Sequence, residues 1–163
     1  MLKFFLNSNS RAYLRSLEGE FGESTNAIRI ELNRFEEAGM LSSTKEGNRK
    51  YFKANTQHPL FEEMQNIVRK YVGIDEIIAS VVTKIGNLER VYIEGKLARG
   101  LTPEVIDLIL VGNHIDRQYL TQLISKAEKV VKKPIRYVLL SPENEEKYLQ
   151  AKQDKPLLIW HVG

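Results

Sequence analysis

The sequence predicts an α+β chain in two parts, and three observations carry that expectation. Residues 24–39 have the apolar spacing of an amphipathic helix and run directly into a basic hairpin. After Gly86 strand-like and helix-like segments alternate, which implies a mixed sheet with helices packed on it. Between the two, around residues 55–75, a polar stretch with a His-Pro gives way to apolar helical spacing. The expected domains are 1–72, with 58–72 as a connecting helix, and 73–163.

In the N-terminal part, Ser24 or Thr25 can cap a helix, because their hydroxyls accept from an orphan backbone N–H. Ile28, Leu32 and Phe35 then recur at i, i+4 and i+7 and give one buried stripe. Gly39 is placed to end the helix in the left-handed conformation that glycine adopts cheaply. The opposite face carries Asn26, Arg29, Ile30 and Asn33. Asn and Arg are the side chains that grip adenine and guanine edges with two hydrogen bonds. Two short strands follow, Met40 to Thr44 and Arg49 to Ala54, around a Gly47-Asn48 turn. Lys45, Arg49, Lys50 and Lys53 cluster there against one acid, Glu46. Read as a unit, helix and hairpin predict a winged helix on duplex DNA. Thr25, Asn26, Arg29, Ile30 and Asn33 would face the groove, and Lys45, Arg49 and Lys50 the phosphates. A solvated helix face beside a charged loop would carry the same residue types.

The stretch "STNAIRIELNRFEEAGMLSSTKEGNRKYFKAN" resembles the core of an ArsR/MarR-type winged helix-turn-helix. Ala27, Ile28, Leu32, Phe35, Gly39 and Leu41 match the recognition-helix pattern; Arg49, Tyr51, Phe52 and Asn55 match the wing. The preceding "AYLRSLEGEFGES" resembles the first helix of that motif, with Tyr13, Leu14, Leu17 and Phe21 as its apolar side. Ile30 departs from the pattern, which usually has a polar or basic residue there. It either touches a thymine methyl or marks an unusual groove contact.

Composition bounds the alternatives. A chain of 163 residues holds one medium or two small domains, and 42% hydrophobic with 28% charged is ordinary for a soluble chain. With no cysteine, disulfides, thiolate zinc sites and cysteine nucleophiles are excluded. His58, His114 and His161 follow no ligand spacing, so surface or capping roles are expected and no metal is. No run approaches a membrane span and "MLKFFLN" lacks a signal-peptide layout, so a cytoplasmic location without membrane contact is expected. That segment should instead form a short helix packing Leu2, Phe4, Phe5 and Leu6. The net charge of +3 is too small for bulk attraction to DNA, so placement and dimer geometry must supply it.

Further along, Leu60, Met64, Ile67, Val68 and Tyr71 predict one helix and Ile74, Ile77, Ile78, Val81 and Ile85 another, ending at Gly86. Together they are the expected homodimer contact. "ERVYIEG" and the nearly unbroken apolar run "EVIDLILVG" predict strands, the second buried on both faces. A helix follows over "DRQYLTQLISKAEKVVKK", with Asp116 at its start and Lys132 and Lys133 at its end. "IRYVLLS" predicts a strand, "PENEEKYLQAKQ" a helix capped by Ser141, and "KPLLIWHVG" a closing strand.

The segment "VYIEGKLARGLTPEVIDLILVG" resembles the active-site region of the polymerase-β-like nucleotidyltransferase superfamily. Gly95, Ala98-Arg99-Gly100 and Ile106-Asp107-Leu108 match. That family uses a Gly-Ser turn for triphosphate and three strand carboxylates for two divalent cations. Here Lys96 stands for the serine, Val105 for one acid, and Arg136 or Tyr137 for the acid expected on "PIRYVLL". The resemblance therefore implies the fold without its chemistry, with no cofactor. Lys96 and Arg99 are the candidates for holding an anion, which leaves a small anionic or nucleotide effector open.

The combined expectation is a dimeric DNA-binding transcriptional regulator whose second domain is catalytically inactive and serves dimerisation or sensing. The alternatives are a nucleotidyltransferase with residual activity and an antitoxin-like protein-interaction module.

Overall fold

A computed structural model describes residues 2–163, so Met1 of the predicted first helix lies outside them. The chain divides into two compact units, Met1–Ile67 and Val68–Gly163.

The first unit opens with helix α1 (Leu2–Leu6), which buries Phe4, Phe5 and Leu6, while Leu2, expected to pack with them, is only half-buried. Strand β1 (Arg11–Tyr13) leads into helix α2 (Leu14–Phe21), and helix α3 (Thr25–Glu37) follows after Gly22. Ser24, rather than Thr25, caps α3: its hydroxyl accepts from the Ala27 N–H at 3.2 Å. Gly39, at φ +71°, takes the left-handed turn behind the helix. Strands β2 (Leu41–Glu46) and β3 (Arg49–Ala54) form a hairpin closed by Gly47-Asn48, and Gly47 at φ +57° supplies the positive φ such a turn needs. The hairpin runs two residues further toward its tip than Thr44. The sheet order is β1-β3-β2, antiparallel throughout. Its core holds Leu17, Leu32, Leu41 and Phe52, with the Phe5 ring tilted against Phe35 and Phe61 at 6.4 and 6.2 Å.

The predicted apolar side of the α2 region needs correction. Only Leu17 of that set is buried; Phe21 is 46% exposed. Tyr13 is not helical at all, because it pairs with Tyr51 in the sheet and stacks edge-on with it at 5.4 Å. Phe21, at the end of an eight-residue helix, lines the rim of an apolar cavity with Leu17, Ile28 and Leu32 rather than being enclosed by the core.

Helix α4 (Phe61–Val72) begins in the first unit and ends in the second. His58 receives the Leu60 N–H on Nδ1 at 3.1 Å just before it, the capping role expected. Helix α5 (Ile74–Ser80) is shorter than predicted. The β-branched run Val81-Val82-Thr83 loses side-chain freedom in a helix, and the chain tightens into a 3-10 turn at Val82–Lys84.

The second unit then lays down strand β4 (Leu88–Glu94), the short helix α6 (Gly95–Ala98), strand β5 (Ile106–Gly112) and helix α7 (Arg117–Val131). Strand β6 (Ile135–Leu140), helix α8 (Pro142–Gln150) and strand β7 (Leu157–His161) complete it. The sheet is mixed, in the order β6-β5-β4-β7, with only β5 and β6 parallel. Its central strand β5 is the run read as buried on both faces, and Leu108 to Val111 are each at most 1% exposed. Ile74 and Ile77 of α5 and Leu120, Leu123 and Ala127 of α7 are each at most 1% exposed, and the two helices pack against one another. Asp116 caps α7 by accepting from Gln118 and Tyr119 N–H.

One polar cluster ties α8 to the sheet. Glu145 is buried; it accepts from Arg90 Nε at 2.8 and 2.9 Å and from the Tyr92 hydroxyl at 2.5 Å. Burial, then the bond to Glu145, pushes the Tyr92 phenol up to about 12 from its ordinary 10.0. A raised pKa means the folded state holds the proton more tightly, so this stabilisation is complete below pH 10 and lost as pH rises through 12. Absorbance titration at 295 nm should show one of the seven tyrosines ionising late. Tyr92→Phe should remove that step; a titration unchanged by the replacement contradicts the assignment.

Candidate functional site

Two places in the chain concentrate chemistry, one in each unit. The first is a groove of about 750 Å³ between α3 and the hairpin, lined by Tyr13, Arg15, Arg29, Asn33, Asn48, Arg49 and Lys50 among others. Four of its lining residues are cations and none is a carboxylate.

The sequence explains the placement. The Ile28/Leu32/Phe35 stripe turns inward, with Leu32 fully covered, so Asn26, Arg29, Ile30 and Asn33 are exposed on the other side. The hairpin register sets Glu46 opposite Arg49 and Lys45 opposite Lys50. Like charges directly opposite destabilise a sheet. Here the conflict is eased by Glu36 of α3, which binds Lys50 Nζ at 2.6 Å and accepts from the Ser43 hydroxyl at 2.5 Å. Lys50 first, then Ser43, holds the Glu36 carboxyl below its ordinary range. The guanidinium of Arg49 lies 4.7 Å over the Tyr13 ring, and that of Arg11 4.3 Å over Tyr51. Arg49 is thus held by an aromatic face while its charge stays exposed.

Of the sequence-predicted residues, Arg29, Asn33, Arg49 and Lys50 meet in this groove. Asn26 and Ile30 are exposed on the same helix face without lining it, Thr25 is half-buried at the first turn, and Lys45 is exposed on β2. Arg15, Tyr13 and Asn48 were missed. Arg15 is a charged position of α2, whose apolar spacing carries no signal for the groove, and Asn48 has the sequence signature of a turn residue alone.

The second place is a cleft of about 600 Å³ in the mixed sheet, lined by Glu94, Gly95, Asp107, Arg136, Tyr137, Lys152 and Asp154 among others. Glu94 ends β4 and is the register partner of Asp107 on β5, so both side chains leave the same face as neighbours. Gly95, at φ +67°, turns the chain directly after Glu94; a Cβ there would sit 3.4 Å from Asp107 Oδ2. Each carboxylate has its own cation. Arg136, the register partner of Asp107 on β6, donates from Nε to Oδ1 at 2.7 Å. Lys152 Nζ stands 2.8 Å from Glu94. Asp107 raises the Arg136 pKa, and Glu94, ahead of Tyr148, raises that of Lys152.

Lys96 and Val105 do not line this cleft. Lys96 is exposed on α6, and Arg99 just after it pairs with Asp154 at 3.5 Å, so the two anion candidates are not brought together there. The cations in the cleft are Arg136 and Lys152, and the acids missed from sequence are Glu94, beside Asp107, and Asp154, which pairs with Arg99. The signal for Glu94 was present: it immediately precedes the turn glycine at the end of a predicted strand. Among the described residues no group of three or more His, Asp or Glu side chains is placed to hold a metal ion. Nor is any described helix long and apolar enough to cross a membrane.

No protein-family model matches the chain, and no curated protein does. Two solved structures are similar to it. A nucleotidyltransferase-like protein from Sulfolobus solfataricus aligns over 58% of this chain and 82% of its own, at 23% identity and a TM-score of 0.40. The toxin-antitoxin MntA-HepT aligns over 55% of this chain and 71% of the matched one, at 15% identity and a TM-score of 0.38. Each alignment spans somewhat more than half of this chain.

Proposed function

We propose that this chain is a DNA-binding regulator: residues 1–72 form a winged helix-turn-helix that docks on duplex DNA, and 73–163 form a nucleotidyltransferase-like domain without turnover. The observation that carries the reading is the groove between α3 and the hairpin, with Arg15, Arg29, Arg49 and Lys50 on its walls and no carboxylate among its lining residues. A net charge of +3 would not create such a surface; local placement does. The α3 face supplies two-pronged donors and acceptors for base edges, and the wing supplies cations for phosphate.

The test is selection from a library of random duplexes at stated salt, followed by affinity against salt concentration. Enrichment of one sequence with a steep salt slope is the expected result; no enrichment overturns the reading. Replacing Arg49 and Lys50 with alanine should weaken all sequences alike and flatten the slope by roughly one to two units. The lower figure is expected, because Lys50 already has a counter-charge in Glu36. An unchanged slope removes the wing from the interface.

A homodimer is part of the proposal, since one recognition helix reads one half-site. Of the two segments expected to make the dimer contact, α5 buries Ile74 and Ile77 within its own unit, whereas Ile67 on α4 and Leu60 in the turn before it are 58% and 50% exposed and offer a contact surface for a second copy. Sedimentation should show a dimer at micromolar concentration, and Ile67→Lys should dissociate it. A wild-type monomer with and without DNA counts against it.

Residual nucleotidyl transfer is the second reading, favoured by one observation: Glu94 and Asp107 face one another at a cleft large enough for a nucleotide. The ion pairs to Arg136 and Lys152 weigh against it.

A further inference from the structure

Ile30 is an apolar side chain left largely open to solvent on α3. At about 100° per residue, it points within roughly 15° of the direction opposite the Ile28/Leu32/Phe35 stripe. It is 44% exposed, the only large apolar side chain of α3 among the exposed ones described. Its neighbours three and four residues away are Asn26, Ala27, Asn33 and Arg34, all exposed. A β-branched residue there has lower helix propensity than Lys, Glu or Gln and still leaves 44% of its surface open to solvent. The rest of the chain leaves nearly half of it open, and Asn26 and Asn33 stand one turn to either side.

We infer that Ile30 reads a thymine methyl, so that the duplexes this protein selects carry a thymine under the centre of α3. The inference rests on the DNA-binding reading and adds its specificity. In the major groove the C5 methyl is the one apolar feature of an A·T pair, and only apolar contact detects it. Asn26 and Asn33, one turn to either side, suit the adenine edges of an A·T-containing site. The same contact would discriminate against uracil, which lacks the methyl.

The test uses the duplex obtained by selection, with each thymine replaced in turn by deoxyuridine, which removes one methyl and leaves the pairing intact. Wild-type protein should lose affinity about three- to tenfold at one position per half-site and be indifferent elsewhere. Ile30→Ala should bind the thymine duplex with a similar loss and show no further loss with deoxyuridine. Its melting temperature should match wild type, since Ile30 is a surface residue. Binding that ignores every replacement overturns the inference and leaves DNA binding standing. So does an Ile30→Ala variant that still senses the methyl, or one that dissolves a dimer without changing the thymine preference. Failure to bind any duplex overturns the DNA-binding reading, and the inference with it.

Discussion

Arg29→Ala is expected to cost about 1–3 kcal/mol on the selected duplex and to relax preference at one base pair. Arg29 lines the basic groove, is exposed, and makes no ion pair among the described residues. Its guanidinium is therefore available for a two-pronged contact with guanine. Little else should change, because α3 is positioned by other groups: buried Leu32, the Ser24 cap, and the Phe5–Phe35 contact. Arg34 gives the internal control. It lies on the same helix with the same charge, but Glu31 binds it at 2.8 Å on an exposed surface. Arg34→Ala should change affinity for the duplex far less than Arg29→Ala, because the Arg34 charge is already countered by Glu31. Anisotropy titration at fixed salt distinguishes the two. Equal losses from both would mean that Arg29 acts only as a charge. Unchanged affinity and preference in Arg29→Ala would remove it from the interface.

Legibility from sequence followed periodicity. The buried run in β5, the stripe of α3 and the Gly47-Asn48 turn are local signals, and each element stands within a few residues of its expected place. Where tertiary pairing overrode local pattern, reading failed. Tyr13 has helix-like spacing with Leu17 and Phe21, yet its partner is Tyr51, distant in sequence and adjacent across the sheet. The candidate sites divide the same way. Arg29, Asn33, Arg49 and Lys50 belong to a continuous helix–hairpin segment, so their meeting could be anticipated. The cleft is assembled from β4, β5, β6 and the segment after α8, and no spacing rule links Glu94 or Lys152 to Asp107. The change from acid to Arg136 could be read by resemblance; which carboxylate it would neutralise could not.

No nucleotidyl transfer is expected from any nucleoside triphosphate with magnesium or manganese. Phosphoryl chemistry of this kind depends on divalent ions clamping the phosphate oxygens, and magnesium takes oxygen ligands in a strict octahedral arrangement. Glu94 and Asp107 could contribute such oxygens, but Lys152 and Arg136 already hold them at 2.8 and 2.7 Å. An entering metal ion would have to displace an ammonium and a guanidinium and then sit beside both. Neither cation leaves by deprotonation near neutral pH: arginine stays charged in proteins, and Glu94 raises the Lys152 pKa further from an already high value. Incubation with each labelled triphosphate, with the protein itself and small acceptors offered, should yield no product. Turnover that vanishes in Asp107→Ala would show the cleft to be an active site. Manganese titration gives an independent readout of the cause. Wild type should bind no manganese at the cleft, and the pair Arg136→Ala with Lys152→Ala should gain binding, because it leaves two facing carboxylates without counter-charge. If that variant keeps its fold and still ignores manganese, the blockade by the two cations is not what silences the cleft.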